Sequence, residues 1–132
     1  MNADEMSKKI LEYIGRNGDA SFANLMEMFG DDAKGEHALE ILPNVFLWAN
    51  MSRTLIDAIT AVRPLLEVKV TSVLVYFADG LSLTLPIASR IPNGGFRKPH
   101  WVPVVLKRRR DGKSESTSEK LAKVAEAPNL RR

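Results

Sequence analysis

The dipeptide Asp79-Gly80 is flanked by two apolar, strand-like runs, 68–77 and 81–87. Asp-Gly is typical of a type I′ hairpin turn, because both residues tolerate the positive φ angles that this turn requires. The sequence therefore predicts a two-stranded antiparallel hairpin in which 72–78 pairs with 81–87. One face of this hairpin is almost entirely apolar, so we expect it to cover a core built from other elements.

Helical spacing of apolar residues dominates the chain before Pro43. It predicts a first helix over about 5–16 and a second helix that begins at the N-cap Ser21 and ends at about Phe29. A third helix is predicted over about 31–42, where Pro43 ends it. Gly35 and the like-charged pair of Glu36 and Glu40 weaken this third helix.

The clearest helical stripe of the chain follows, over about 52–65, with Asn50 or Ser52 as its N-cap. Its inward residues recur at helical spacing and are Leu55, Ile59, Val62 and Leu66. The apolar run 45–49 before it is either a short buried strand or the lead-in to this helix. The predicted fold class is therefore α+β, with three to four helices followed by the two-stranded hairpin.

Two further segments follow the predicted domain of residues 1–92. Residues 93–106 mix prolines with large apolar side chains, which excludes a helix and limits any strand to a sheet edge. We expect this segment, the arm, to lie on the hairpin, with Trp101 and Val104 or Leu106 against Val75 and Phe77. Residues 107–132 form a basic tail that is expected to be largely disordered. Within it, 116–127 has the spacing of a short helix that could order on a partner.

Charge is distributed unevenly along the 132 residues, whose formal net charge is +3. The first fifty residues hold four Lys or Arg against nine Asp or Glu, whereas 96–110 holds six basic residues and no acid. An acidic body with a basic arm is typical of proteins that meet nucleic acid or an acidic partner. The alternative is a solvated terminus that keeps the chain soluble.

Several classes of function find no support in the residues. The chain has no cysteine, which excludes disulfides and thiolate metal sites and fits a reducing cytoplasm. No apolar stretch approaches the roughly 18 residues of a membrane span, and the N-terminus has no signal-peptide h-region. The two histidines, His37 and His100, have no other His or Cys at metal-ligand spacing. We therefore expect no metal, no cofactor and no enzymatic activity.

The order of elements, together with the turn at Asp79-Gly80, resembles a winged helix-turn-helix domain over about residues 5–87. The resemblance implies that 50–63 is a recognition helix for the DNA major groove and that 78–81 is the tip of a wing beside the DNA backbone or minor groove. The stretch from Lys98 to Val104 is also similar to small uncharacterised proteins of bacterial mobile elements.

These features predict a small cytoplasmic DNA-binding protein, acting as a transcription regulator or as a DNA accessory factor on double-stranded DNA. Its candidate contacts are polar residues on the outward face of the recognition helix and basic residues of the arm and tail: Asn50, Ser52, Arg53, Thr54, Thr60, Arg97, Lys98, Lys107, Arg108, Arg109 and Arg110. Asp57 on the same helix face and Asp79 at the wing tip oppose this interpretation because they repel phosphate.

A second function is compatible with the same elements. Winged-helix domains also serve as protein-interaction modules, and the outer face of the predicted hairpin carries the apolar residues Val73, Val75 and Phe77. If nothing covers that face, it is expected to bind a protein partner or a second copy of the chain, without DNA binding.

Overall fold

The computed structural model of the chain describes residues 1–109, which form a mixed α+β structure and confirm the predicted class. Its four α-helices are α1 (Ala3–Asn17), α2 (Phe22–Phe29), α3 (Arg53–Val62) and α4 (Leu74–Phe77). Its six strands are β1 (Asp19–Ser21), β2 (Lys34–Leu42), β3 (Val45–Met51), β4 (Leu66–Val70), β5 (His100–Trp101) and β6 (Val104–Arg108). Short 3-10 turns at Gly30–Ala33 and Arg63–Leu65 follow α2 and α3. The segment 116–127 and Arg110 lie outside the described residues.

The first two predicted helices and the helix before residue 65 are confirmed, and local capping explains their bounds. Asn2 and Glu5 form a capping box at the start of α1, and Gly18 ends that helix with a φ of 92°. Ser21 caps α2, and Ser52 caps α3 through a bond from the Leu55 N–H to its hydroxyl oxygen. These signals depend on neighbouring residues only, so they can be recognised before the fold is known.

The helix predicted over 31–42 is wrong, because most of this stretch forms strand β2. Gly35 is the physical reason, since a β-carbon there would lie 2.6 Å from the carbonyl oxygen of Met51. β2 approaches β3 so closely at this point that only glycine fits. The two strands pair antiparallel around a turn at Asn44, which has a φ of 61°. Of the two interpretations of 45–49, the buried strand is confirmed.

The hairpin predicted from Asp79-Gly80 is also wrong. Residues 74–77 form the short helix α4, and 81–87 joins neither sheet except through one bridge between Ile87 and Trp101. The Asp-Gly pair instead ends the helix, where the Gly80 N–H donates to the carbonyl of Phe77 (2.9 Å). The predicted wing tip at 78–81 is therefore a turn after a helix and not the turn between two strands.

Tertiary contacts of Tyr76 explain why strand-forming residues adopt this helical turn. The Tyr76 hydroxyl donates to the carbonyl of Val104 (2.7 Å) and accepts from the backbone N–H of Phe22 (2.9 Å). Its ring lies 5.1 Å from the ring of Trp48 and 5.4 Å from that of Trp101, between centroids. Burying this ring and satisfying its hydroxyl outweigh the local strand propensity, which is a weak preference.

The predicted arm lies inside the fold and not on the outside of a hairpin. β6 is the central strand of one sheet, in the order β1-β6-β4, and β5 pairs in parallel with β3 in the other sheet, in the order β2-β3-β5. Trp101 is fully buried, whereas its expected partners Val75 and Phe77 remain 37% and 47% exposed. The prolines do not limit β6 to an edge, because Pro103 precedes the strand and removes no bond from its ladder.

The expected disorder from residue 107 onward is wrong at its first residues, since Lys107 and Arg108 belong to β6. They pair with Glu67 and Leu66 of β4, so the chain stays ordered past the point where its composition becomes basic. No helix within residues 1–109 has the length and apolar character needed to cross a membrane.

The contact between Gly95 and Pro43 provides a test of this architecture. A β-carbon at Gly95 would collide with the carbonyl oxygen of Pro43, whereas one at Gly94 meets nothing within 4 Å, and both glycines have a positive φ. We expect Gly94→Ala to cost roughly 1–2 kcal/mol of stability, from backbone strain alone. Gly95→Ala should cost about 1–3 kcal/mol more, because the Pro43 backbone must move. Urea unfolding measures both, and equal costs would contradict this packing.

The Tyr76 hydroxyl provides a second test. Tyr76→Phe leaves the buried Phe22 N–H and Val104 carbonyl without this partner, so we expect a loss of about 1–3 kcal/mol in unfolding free energy. Tyr13→Phe is the control, because the Tyr13 hydroxyl makes no hydrogen bond within residues 1–109.

Burial also raises the pKa of Tyr76 above its ordinary value. The unfolded chain then loses this proton near pH 10 while the folded chain keeps it, so stability should fall by up to about 1.4 kcal/mol per pH unit above that pH. In Tyr76→Phe, the free energy of unfolding should fall less steeply above pH 10, as measured by urea unfolding at several pH values. An identical pH dependence in the two proteins would contradict the raised pKa of Tyr76.

Candidate nucleic-acid interface

The outward face of α3 carries two of the predicted DNA contacts. Leu55, Ala58, Ile59 and Val62 are buried against the core, which leaves Arg53, Asp57 and Thr60 exposed on the other side. The Arg53 Nε donates to Asp57 Oδ1 at 3.1 Å, an exposed i,i+4 ion pair. This helix face is therefore accessible, but its two charges cancel.

Two of the three hydroxyl groups expected to contact DNA on this helix, those of Ser52 and Thr60, make hydrogen bonds within the fold. The Ser52 hydroxyl accepts from the Leu55 N–H (3.1 Å) and donates to the carbonyl of Asp32 (2.7 Å). The Thr60 hydroxyl donates to the carbonyl of Ile56 one turn earlier (2.8 Å). Asn50 is exposed with a φ of 56°, and Thr54 is half-buried. Asn50 therefore remains an exposed uncharged contact at the start of α3.

Acidic side chains surround the start of α3. Ser52 is held against the 3-10 turn by a bond from its N–H to the carbonyl of Ala33 (2.7 Å), and this turn contains the exposed carboxylates Asp31 and Asp32. Asp32 lies 3.5 Å from the N-terminal ammonium of Met1. Exposed carboxylates so close to the helix start lower the affinity of this end of α3 for phosphate.

Arg108, the last residue of β6, and Arg109 after it lie at the other end of α3. The Arg109 N–H donates to the carbonyl of Leu65 (2.9 Å), and Arg108 is in register with Leu66, so both residues lie beside the end of the helix. Cations are favoured at this end because the helix dipole is negative there. Lys107 differs, since it lies in register between Asp19 of β1 and Glu67 of β4, two acidic neighbours on the same sheet face.

Arg97 and Lys98 form a third group, on a loop fixed to the turn between β2 and β3. The Phe96 N–H donates to the carbonyl of Pro43 (2.9 Å), and the His100 N–H donates to that of Asn44 (2.9 Å). The two basic side chains are exposed between these anchors. β3 has seven residues, so this loop lies roughly 20 Å from the start of α3.

The structure therefore separates the predicted site residues into three groups and does not form one continuous patch. The first group is at the start of α3, the second beside its end, and the third at the far end of β3. Arg90 is a further basic residue, exposed in the connection between β4 and β6, and was not among the predicted contacts. A count of basic against acidic residues over the whole connection between β4 and β6, and not over the arm alone, would have identified Arg90.

The two histidines have structural surroundings. The ring of His100 lies 4.1 Å from the ring of Phe96, between centroids, and its Nδ1 is 2.8 Å from the carbonyl of Lys98. His37 is exposed on β2. Within residues 1–109, no group of three or more His, Asp or Glu side chains is placed to hold a metal ion.

Comparison with known proteins adds no relative. No protein-family model matches the chain, and no curated protein and no solved structure matches it.

Proposed function

We propose that the chain is a small DNA-binding protein of the bacterial cytoplasm, a regulator or accessory factor with a winged-helix-like architecture. One observation carries the proposal: α3, whose outward face is exposed, leads through one 3-10 turn into β4, which pairs antiparallel with β6. In winged-helix domains, a hairpin follows the helix that enters the major groove. Here β4 and β6 take the place of that hairpin, and the connection 71–103 takes the place of the wing. The chain departs from the family order by the insertion of β2 and β3 before α3.

The charge of this region supports a phosphate-binding role. From residue 71 to residue 109, the chain carries six basic residues and one acid, Asp79. The basic residues are Arg90, Arg97, Lys98, Lys107, Arg108 and Arg109. Lys and Arg that neutralise DNA phosphates release counterions, which supplies most of the affinity in binding that does not depend on sequence. The proposed wing and β6 therefore carry the charge that the recognition helix lacks, apart from Lys107, which Asp19 and Glu67 flank.

The spacing of the groups is compatible with duplex DNA. α3 has ten residues and is about 15 Å long, so Arg53 and the pair Arg108 and Arg109 are separated by about that distance. The major groove is about 12 Å wide, so a helix lying in it has phosphates on both sides. In this arrangement Arg108 and Arg109 contact one strand of the backbone, while Arg53 lies near the other.

The acids near α3 determine the kind of binding expected. Asp57 neutralises Arg53 within the protein, and Asp31 and Asp32 repel phosphate at the start of the helix. We therefore expect binding that depends mainly on phosphate contacts, with a Kd in the range of about 10⁻⁴ to 10⁻⁶ M at physiological salt.

Asp57→Asn tests the role of the α3 face. Loss of the carboxylate frees the Arg53 guanidinium from its ion pair and removes one repulsive charge, so affinity for a duplex should rise several-fold at low salt. Arg108→Ala with Arg109→Ala should lower affinity and reduce the slope of log K against log salt by about 2, one for each lost phosphate contact. Fluorescence anisotropy with a labelled duplex, titrated at several salt concentrations, measures both effects.

Lys8→Ala with Lys9→Ala is the charge-matched control, because these two lysines are exposed on α1. This variant should retain most of the affinity of the unmodified protein. If it loses as much affinity as the double arginine variant, binding follows net charge only. If the duplex does not bind at low salt, or Asp57→Asn has no effect, the proposal is wrong.

A second candidate function, a protein-interaction module, is favoured by the surface of α4. Leu74 is 67% exposed and Phe77 is 47% exposed, on either side of the buried Tyr76. Val75 between them is 37% exposed. Three large apolar side chains exposed in one helical turn are typical of a contact surface. Under this alternative, a protein partner or a second copy of the chain covers α4 and no DNA is bound.

Light scattering distinguishes this alternative. If α4 joins two copies, the mass should rise from one chain to two with increasing protein concentration, and Leu74→Asp with Phe77→Asp should keep the protein monomeric. Leu65→Asp is the control, an apolar residue of similar exposure (44%) outside α4. A protein that remains monomeric at all concentrations excludes the self-association form of the alternative.

A further inference from the structure

β3 pairs with β2 along its whole length on one side, but on the other side it extends beyond β5. β5 pairs in parallel with Val45 and Phe46 only, while β3 continues to Met51. One more bond follows, from the Val102 N–H to the carbonyl of Phe46 (3.0 Å), after which the chain leaves at Pro103 for the other sheet. Within residues 1–109, no strand therefore continues the position of β5 beside the C-terminal half of β3.

A segment with unused backbone groups lies near this position. Residues 81–85 alternate half-buried leucines with exposed Ser82 and Thr84, the pattern of a strand with one buried face. Nevertheless, within residues 1–109, Ser82 to Leu85 neither donate nor accept a backbone hydrogen bond. Backbone groups that make no internal bond are free to pair with another chain.

An open cavity of about 320 Å³ lies between the two. Trp48 and Ala49 line it from β3, Leu81 and Leu83 line it from the other side, and Met26 of α2 contributes apolar surface. An adjoining cavity of about 310 Å³ shares Met26 and Leu81 with the first, so the two lie side by side. We call these two neighbouring cavities together the strand slot.

Charged residues distinguish the two ends of the strand slot. Lys34 and Asn50 lie at one end, and Glu27 and Asp79 lie at the other. The Lys34 ammonium is 3.5 Å from Asp31, but this pair is largely exposed and therefore weak. Lys34 thus remains able to pair with an acidic residue of a ligand, while the opposite end favours a basic one.

We propose that the strand slot binds an extended segment of a partner protein, which adds as a strand between β3 and 81–85. The segment has an apolar side chain for the surface around Met26, an acidic residue at the Lys34 end and a basic residue at the Glu27 end. In this mode of recognition, main-chain hydrogen bonds supply affinity and the alternate side chains supply specificity. The proposal is independent of DNA binding, because it uses neither Arg53 nor the basic residues of β6.

The test uses labelled seven-residue peptides of alternating valine and threonine and the full chain without DNA. One peptide has lysine at its N-terminus and glutamate at its C-terminus, and a second has the reverse order. Each of these two peptides is also made with proline in place of the central valine. Anisotropy should show saturable binding, with one order at least about fivefold tighter than the other and the proline version about tenfold weaker, since proline cannot donate to a ladder.

Two variants test whether the peptide binds in the strand slot. Ser82→Pro removes a backbone donor that the fold itself does not use, and Ala49→Trp fills the cavity from β3. Either should weaken binding about tenfold or more. Ser89→Pro is the matched control, an exposed serine of the same connection whose N–H is also unused within residues 1–109 and which does not line the strand slot. If Ser82→Pro disturbs the circular dichroism spectrum, Ala49→Trp decides the result alone.

A photo-crosslinking amino acid in place of Ala49 identifies the occupant. Crosslinks to the peptide, mapped by mass spectrometry, support the proposal. Crosslinks to a second copy or to residues 110–132 of the same chain, with no peptide captured, would overturn it and assign the strand slot to that occupant. Absence of peptide binding, or binding that survives both Ser82→Pro and Ala49→Trp, also overturns it. Asp57→Asn should leave peptide binding unchanged, which separates this result from the DNA-binding experiment.

Discussion

The hydroxyl of Tyr76 joins three parts of the molecule: α2, β6 and the connection between β4 and β6. It bonds to the first residue of α2 and to the first residue of β6. The ring of Tyr76 lies against Trp48 of β3 and Trp101 of β5, two strands of the same sheet. Most of the connection between β4 and β6 has no regular secondary structure. Tyr76 fixes the first part of this connection, because it satisfies two backbone groups and packs against two indole rings. Backbone bonds of Phe96 and His100 to the turn between β2 and β3 fix the later part.

The parts of the fold that could be predicted are those that neighbouring residues determine. Ser21 and Ser52 mark helix starts because a cap acts within three residues, and the buried stripe of α3 follows its own periodicity. The helix predicted over 31–42 and the hairpin at Asp79-Gly80 failed for the opposite reason. Gly35 is required by the backbone of Met51, and the helical turn at α4 by partners of Tyr76 that are 28 and 54 residues distant.

In the candidate site too, features set by neighbouring residues could be predicted, whereas features set by distant contacts could not. The pairing of Arg53 with Asp57 could be anticipated from their spacing of four on one helix. The acidic neighbours of Lys107 could not, because they depend on the register of β6 between β1 and β4. Charge density along the chain therefore overstates the positive field of this region. The strand slot was also invisible in the sequence, since it results from the point at which β5 ends and the chain changes sheets.

The place of β6 in the sheet order has a consequence for biosynthesis. The strand that lies between β1 and β4 is the last strand of residues 1–109 to leave the ribosome. Until it emerges, β1 and β4 have no common partner, and the Tyr76 hydroxyl lacks its acceptor at Val104. Helices α1 and α3 do not depend on β6 for their contact, since they pack through buried apolar residues and a bond from the Ser7 hydroxyl to the carbonyl of Ala58 (3.0 Å). A premature stop codon directly before residue 104 would remove 29 of the 132 residues, and the loss of the five that form β6 would leave this sheet without its centre.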